Sequence, residues 1–359
     1  MKVFLKILII ILFVFFVSEV LLTIFLSKNF RITEQNIILP SNQKYKIKNQ
    51  CNPVLDSEII HTRNSLGLRG VELDSFNKIK IFTVGGSTTH CMFLSDKQEW
   101  THILYNALQN TDNSIWVNNA GFSGQTTFGH IMLVKDYLIK FKPNYIIFYI
   151  GINDMFREQM NKDDKFILLG NKKYFKQIYN FKILMLLENL YTTRLLKYSF
   201  VNTSECKMNF SALAEAKILE GDADSSLVIK YLDGYKKRIE ELIVLCELNN
   251  AIPIFLTQAS MYTCGYDFSN TLNFGNKTKD GTGSVCHFYK SLNLYNKALI
   301  EVCEAKCVPC IDMANMINKD TTYFYDFVHF TPEGSKEFAN VLYTNLKYII
   351  EDNDVYSSN

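Results

Sequence analysis

The sequence lacks an excess of charge of either sign: 38 Lys and Arg stand against 36 Asp and Glu, a formal net charge of +2. No strongly basic field is available, so nucleic-acid binding is not expected. No collagen-like, coiled-coil or tandem-repeat period is present. No C-x-x-C pair is repeated at a zinc-ribbon spacing. Nine cysteines is an odd number, so at least one stands outside any intramolecular disulfide. Cys303, Cys307 and Cys310 are close in sequence, but the nearest histidines, His287 and His329, are each roughly 15 or more residues away, a poor ligand spacing. The simpler reading puts Cys303 and Cys307 on one helix face and Cys310 in a following buried strand. No metal and no cofactor are expected. The nucleophile-elbow pattern G-x-S-x-G is not met, because Gly85-Gly86-Ser87-Thr88-Thr89 ends in Thr. A phosphate loop is missing too, since no Gly-Lys-Ser/Thr follows.

What the chain does have is apolar material. Of its 359 residues 48% are hydrophobic and 14% aromatic, enough for a substantial core and against wholesale disorder. Ile7 to Leu26 is an apolar run of about 20 residues, roughly 30 Å as a helix, the thickness of a bilayer core. Ser18, Glu19 and Thr23 interrupt its second half. Lys2 and Lys6 precede it as in a signal peptide, but no small-x-small cleavage site follows, which favours a retained anchor. Lys28, Arg31, Lys44 and Lys46 follow the run, so charge counting does not fix orientation. A short leader before a large C-terminal domain resembles a signal anchor, with the domain outside the cytoplasm.

The expected organisation is an anchor over 1–27, a polar stalk over 28–63, a catalytic domain over 64–351 with an insertion at about 156–230, and a polar tail over 352–359. Asn64-Ser65-Leu66-Gly67 reads as a turn. Strands are expected at Ile79–Val84, Ile115–Asn119, Tyr145–Ile150, Ile252–Thr257 and Val308–Asp312. Helices are expected at Lys97–Gln109, Thr127–Phe141, Tyr231–Leu248 and Tyr289–Ala305, with a last one opening near Pro332 behind a Thr331 cap. Alternating strands and helices imply an α/β domain with helices on both faces of a parallel sheet. The insertion reads as helical pieces such as Phe181–Leu196, and Gly265–Gly283 reads as a loop.

In an open parallel sheet, ligands bind beyond the carboxyl ends of the strands. Three consecutive strand ends carry small or amide residues: Gly85-Gly86-Ser87-Thr88-Thr89, Asn119-Ala120-Gly121-Phe122-Ser123-Gly124, and Gly151-Ile152-Asn153-Asp154. Gln258 follows the fourth. A serine nucleophile needs a base, and the base an orienting carboxylate. Asp326-Phe327-Val328-His329, in a loop just before a helix, offers both. The carboxylate can meet Nδ1–H while Nε2 stays free. His90, three residues after Ser87, is the competing base and is expected on the helix that Ser87 opens.

These four blocks, in order, resemble the SGNH (GDSL-like) hydrolases. Asn64-Ser65-Leu66-Gly67-Leu68-Arg69-Gly70 is similar to the lead-in of membrane-anchored members. The resemblance spans about Asn64 to Ile350. It implies a three-layer α/β/α fold of flavodoxin-like type, with Ser87 as nucleophile, His329 as base and Asp326 orienting it. It also implies an oxyanion hole from the backbone N–H groups of Ser87 and Gly124 and the Asn153 amide. Gly86 stands where the founding motif has Asp, at a position that is not catalytic in the family. The activity implied is that of an anchored serine esterase acting on O-acyl, commonly O-acetyl, groups of extracytoplasmic carbohydrate. The alternatives are acyl transfer to a glycan, hydrolysis of a lipid ester, and a non-catalytic anchored glycan-binding or scaffold protein.

Overall fold

The computed structural model describes residues 6–17, 30–32, 38–49, 52–155, 157–161, 164, 204–205, 225–263 and 283–357. Residues 6–17 form helix α1, whose side chains from Ile7 to Val17 are exposed. Among the described residues no helix is long and apolar enough to cross a membrane. The second half of the apolar run lies outside them.

The segment expected as a polar stalk contains strands. β1 (Phe30–Ile32) pairs antiparallel with β2 (Ile38–Pro40). β3 (Gln43–Lys48) and β4 (Glu58–Arg63) form an antiparallel hairpin registered Tyr45 opposite His61 and Ile47 opposite Ile59. Along β4 the inward positions are Ile59, His61 and Arg63. Two of these three are polar, so the buried face carries no apolar alternation in the sequence.

The Asn64 turn forms as expected. Its side-chain Oδ1 accepts from the N–H groups of Leu66 and Leu68, and its Nδ2 donates to Val71 O and to Asn118 Oδ1 at 2.6 Å. Beyond it, Arg69 makes a backbone bridge in both directions with Asn119, tying the lead-in to the sheet edge.

The central sheet begins with β5 (Ile79–Gly85). It leads through the single-turn α2 (Ser87–His90), a 3-10 turn at Asp96–Gln98 and α3 (Trp100–Gln109) to β6 (Ile115–Asn119). α4 (Thr127–Asp136) and a 3-10 turn at Leu138–Phe141 lead to β7 (Tyr145–Tyr149). β8 (Ser204–Glu205) adds a short parallel strand to β3. α5 (Ser225–Glu247), β9 (Ile252–Leu256), α6 (Gly283–Lys306), β10 (Cys310–Ile311), α7 (Met313–Met316) and α8 (Pro332–Ser357) complete the order. The five expected strands are present, with β10 shorter than Val308–Asp312 because Val308 still bonds back to Cys303 O at the helix end. The two helices expected as Lys97–Gln109 and Thr127–Phe141 each divide into a 3-10 turn and an α-helix. Cys303 is buried in α6, but Cys307 is exposed just past its end with φ 55°, so the two do not share a buried face. The expected Phe181–Leu196 helix, the body of the Gly265–Gly283 loop and most of the 156–230 insertion lie outside the described residues.

The sheet order is β10-β9-β7-β5-β6 and every pairing is parallel. The chain first steps from β5 outward to β6, then returns across β5 to β7. Right-handed crossovers in opposite directions put α3 and α4 on opposite faces. The contacts agree: α3 packs with α8, whereas α4 packs with α5 and α5 with α6. The result is three layers over a sheet whose strands are buried on both sides, among them Ile81, Val84, Ile146, Phe148, Ile254 and Phe255. The reversal between β6 and β7 makes the carboxyl ends of β5 and β7 the switch point, where a crevice opens.

Candidate active site

Ser87 stands two residues past the end of β5 and Asn153 follows β7, so both stand at that crevice. α8 delivers the third component. Ahead of it, Phe324 and Phe330 form a β-bridge that closes a loop, and Thr331 Oγ1 accepts from Gly334 N–H to start the helix. The loop is pinned by the Met261 N–H bond to Phe327 O and by Tyr262 stacked on Phe327 at 4.9 Å.

Within this loop Asp326 Oδ1 accepts from the N–H groups of Val328 and His329 at 2.8 and 2.7 Å. Its Oδ2 lies 2.6 Å from His329 Nδ1, and His329 Nε2 lies 2.8 Å from Ser87 Oγ. Tyr325 stacks on the imidazole at 5.6 Å and limits its rotation. A carboxylate accepts at Nδ1–H, so Nε2 is left to take a proton from the serine. Burial alone would raise the Asp326 pKa, but the His329 charge and the three hydrogen bonds win and hold it below 3.8. Burial likewise pushes His329 down, yet the Asp326 charge and hydrogen bond raise its pKa above 6.5.

The other strand-end residues converge on Ser87. Phe122 N–H donates to Gly85 O, which lays the second block alongside the first. Gly124 has φ 80°, a conformation that side chains rarely adopt. Asn153 donates one amide hydrogen to Gln125 O at 2.9 Å and keeps a second hydrogen to offer. Gly86 is the contact between blocks one and three: a Cβ there would fall 2.3 Å from Asn153 Nδ2. The residue that departs from the founding motif is thus the one whose smallness admits the Asn153 amide. Asp154 faces away from the crevice. It is buried, accepts from Thr127 N–H and hydroxyl, and meets Arg238 at 3.4 Å. Burial outweighs these partners and lifts its pKa to about 6.

His90 sits on α2 as expected, but its ring turns away from Ser87. Nδ1 lies 2.9 Å from Ser123 Oγ and Nε2 lies 3.1 Å from Arg63 Nη2. Burial and the neighbouring Arg63, Arg69 and His61 push its pKa well below 6.5.

Several residues of the surroundings were given no role by the sequence. Arg69 is fully buried; its guanidinium donates to His90 O, Cys91 O and Leu94 O and pairs with Asp96 at 3.0 Å, splinting the C-terminal end of α2. Asp164 accepts from Thr126 N–H and hydroxyl and from Gly129 N–H, anchoring the start of α4. Arg69 lies within the quoted lead-in motif, whereas Asp164 and Arg63 stand in no motif. Among the described residues no group of three or more His, Cys, Asp or Glu is gathered as a metal site would require.

A serine, an imidazole and a carboxylate in one hydrogen-bonded line, at the switch point of a parallel α/β sheet, define a serine hydrolase class of site. The pattern of the GDSL-like lipase/acylhydrolase family matches residues 81–342, and the chain belongs to that family of ester hydrolases. Several solved structures resemble it distantly. A GDSL-like lipase from Bacteroides thetaiotaomicron shares 11% identity over 79% of this chain and 92% of its own, with a TM-score of 0.41. An acetylxylan esterase from Geobacillus stearothermophilus shares 14% over 74% and 93%, with a TM-score of 0.41. A further acetyl xylan esterase shares 13% over 74% and 99%, also at 0.41. No curated protein sequence matches the chain.

Proposed function

We propose that this ester hydrolase is a membrane-anchored serine esterase that removes O-acyl, chiefly O-acetyl, groups from extracytoplasmic carbohydrate. The observation that carries the catalytic part is the continuous line Asp326–His329–Ser87 at 2.6 and 2.8 Å. Ser87 Oγ attacks the ester carbonyl while its proton moves to His329 Nε2. Asp326 holds the imidazole in the required tautomer and stabilises the imidazolium. Negative charge develops on the former carbonyl oxygen, where the N–H groups of Ser87 and Gly124 and the free Asn153 amide hydrogen receive it. The C–O bond to the sugar breaks as His329 returns its proton to the leaving alkoxide. Water then attacks the acyl-Ser87 carbonyl carbon as His329 takes its proton; the bond from that carbon to Ser87 Oγ breaks as His329 returns the proton to Oγ, and acetate leaves.

The anchor is supported by the exposed apolar side chains of α1, Ile7 to Val17, and by the continuation of the apolar run to Leu26 in the sequence. The carbohydrate ester rests on the resemblance to anchored family members. A fluorophosphonate probe tests the catalytic reading with the full chain in detergent: the wild type should be labelled at Ser87 and Ser87→Ala should not. Release of acetate from acetylated glycans, compared with lipid esters of matched acyl length, then tests the substrate. Preference for the lipid esters would reject the carbohydrate assignment.

A further inference from the structure

β4 ends at Arg63, which is buried and lies outside the family-matched region 81–342. Among the described residues no carboxylate pairs with its guanidinium. It remains charged at neutral pH, with a pKa lowered only to about 10 by burial and by Arg69. Its neighbours are the Phe122 ring, 4.5 Å below its centre, Tyr45, Gly67 O at 2.9 Å, and His90 Nε2 at 3.1 Å. A buried cation that none of the described carboxylates pairs is costly, so its place calls for a reason.

The direction of each hydrogen bond follows from chemistry. A guanidinium has donors and no acceptor, so His90 Nε2 must accept. The one ring proton of neutral His90 is then on Nδ1, and Nδ1–H donates to Ser123 Oγ at 2.9 Å. Ser123 immediately precedes Gly124, the glycine at φ 80° whose N–H the proposed mechanism assigns to the oxyanion. From below, the same turn is held by Phe122 N–H on Gly85 O; from the side, the Arg63 guanidinium covers Phe122 itself.

We propose that Arg63, His90 and Ser123 are a positioning relay that sets the Gly124 N–H for the oxyanion, which makes the β3–β4 hairpin a working part of the active site. The proposal rests on the serine-esterase reading and extends it to three residues that touch no reacting atom. Arg63 fixes the His90 tautomer, His90 fixes the Ser123 hydroxyl, and Ser123 fixes the backbone turn. Displacing an oxyanion donor by a fraction of an ångström weakens it chiefly in the transition state, so the relay should act on kcat and leave KM nearly alone.

The test uses the full chain with p-nitrophenyl acetate, and fluorophosphonate labelling to identify Ser87. Ser123 is small and exposed, so Ser123→Ala should fold; it should lower kcat about tenfold with KM within about twofold. His90→Asn places an amide nitrogen where Nδ1–H stood, and His90→Gln places its amide near Nε2. The Asn variant should therefore retain the higher kcat. Arg63→Met should lower kcat as Ser123→Ala does, and the double variant should be no slower than either single one, because members of one chain are non-additive. Wild-type kcat in Ser123→Ala would overturn the relay, as would an equal or reversed order of His90→Asn and His90→Gln. A wild type that the probe does not label at Ser87 would instead reject the esterase reading itself.

Discussion

Replacing Asp326 by Asn separates the geometry of the His329 loop from its electrostatics. The Asn carbonyl can still accept from the Val328 and His329 N–H groups, now at 2.8 and 2.7 Å from Oδ1, so the loop should keep its shape. What changes is the 2.6 Å contact with His329 Nδ1. An amide nitrogen there is a donor, and it favours the tautomer with Nδ1 unprotonated. Nε2 then carries the proton and can no longer take one from Ser87. The imidazolium that forms in the reaction also loses its counter-charge. The loss in kcat should be about 10⁴-fold, or about 5.5 kcal/mol of transition-state stabilisation. The pH profile gives a second signature. His329 must be neutral to act, so kcat/KM rises with pH through its pKa, which in the wild type lies above 6.5. Without Asp326 the raising influences vanish while burial still pushes down, so the residual limb should move to lower pH. Stability follows the same pair. The part from the raised His329 pKa is fully present below 6.5 and is lost as pH rises through the folded-state value. The part from the depressed Asp326 pKa is present above 3.8 and is lost as pH falls through its folded-state value. The deficit of Asp326→Asn in thermal melts should therefore be widest between those two values. Stopped-flow turnover of p-nitrophenyl acetate across pH measures the kinetic part. A variant that kept kcat within tenfold and left the limb in place would refute the role given to Asp326.

Ser87→Ala should lower kcat by at least about 10³-fold with little change in melting temperature, since the triad acts as a unit; near wild-type turnover would exclude Ser87 as nucleophile. Asn153→Ala should lower kcat by about 10²–10³ with KM little changed, and Gly86→Ala, which forces the same amide aside, should add little when combined with it. A pure KM effect would make Asn153 a substrate-binding group instead. Protease added to intact cells expressing the full chain should release a catalytic fragment cut ahead of the hairpin at Gln43; protection until the membrane is permeabilised would reverse the proposed orientation.

The strands and the residues at their carboxyl ends were legible because they obey simple rules. Runs such as Tyr-Ile-Ile-Phe-Tyr at β7 are apolar on both faces, as a doubly covered parallel strand must be. The Gly, Ser and Asn residues that follow are small or amide-bearing where close backbone approach is needed. Asp326 and His329 were legible because their contact is local, three residues apart. The hairpin was not legible. Its inward face is Ile59, His61 and Arg63, with the Tyr45 ring tilted against His61 at 4.5 Å, so burial there is achieved by rings and a cation rather than by aliphatic alternation. His90 stood as a rival base for a related reason. Sequence distance put it near Ser87, but its ring orientation is decided by Arg63 and Ser123, which are 27 and 33 residues away.

That long-range dependence bears on where the catalytic unit begins. A boundary at Asn64 follows the lead-in motif, and the family pattern starts later still, at residue 81. Yet the single helical turn that carries Ser87 is held at its C-terminal end by Arg69, whose guanidinium binds three carbonyls there. Four residues of helix supply almost no stability of their own, so the position of Ser87 depends on that splint. His90, the last residue of the turn, is in turn fixed by Arg63 from β4. Thr62 ties the same strand to Asp96 by two further bonds at 3.0 and 2.8 Å, and Asp96 also receives Arg69. The nucleophile turn, the lead-in and the hairpin therefore share one hydrogen-bonded network. The physical edge of the unit that holds the Ser87 turn lies before Gln43, on the N-terminal side of the hairpin, and a cut at either motif boundary would pass through the network.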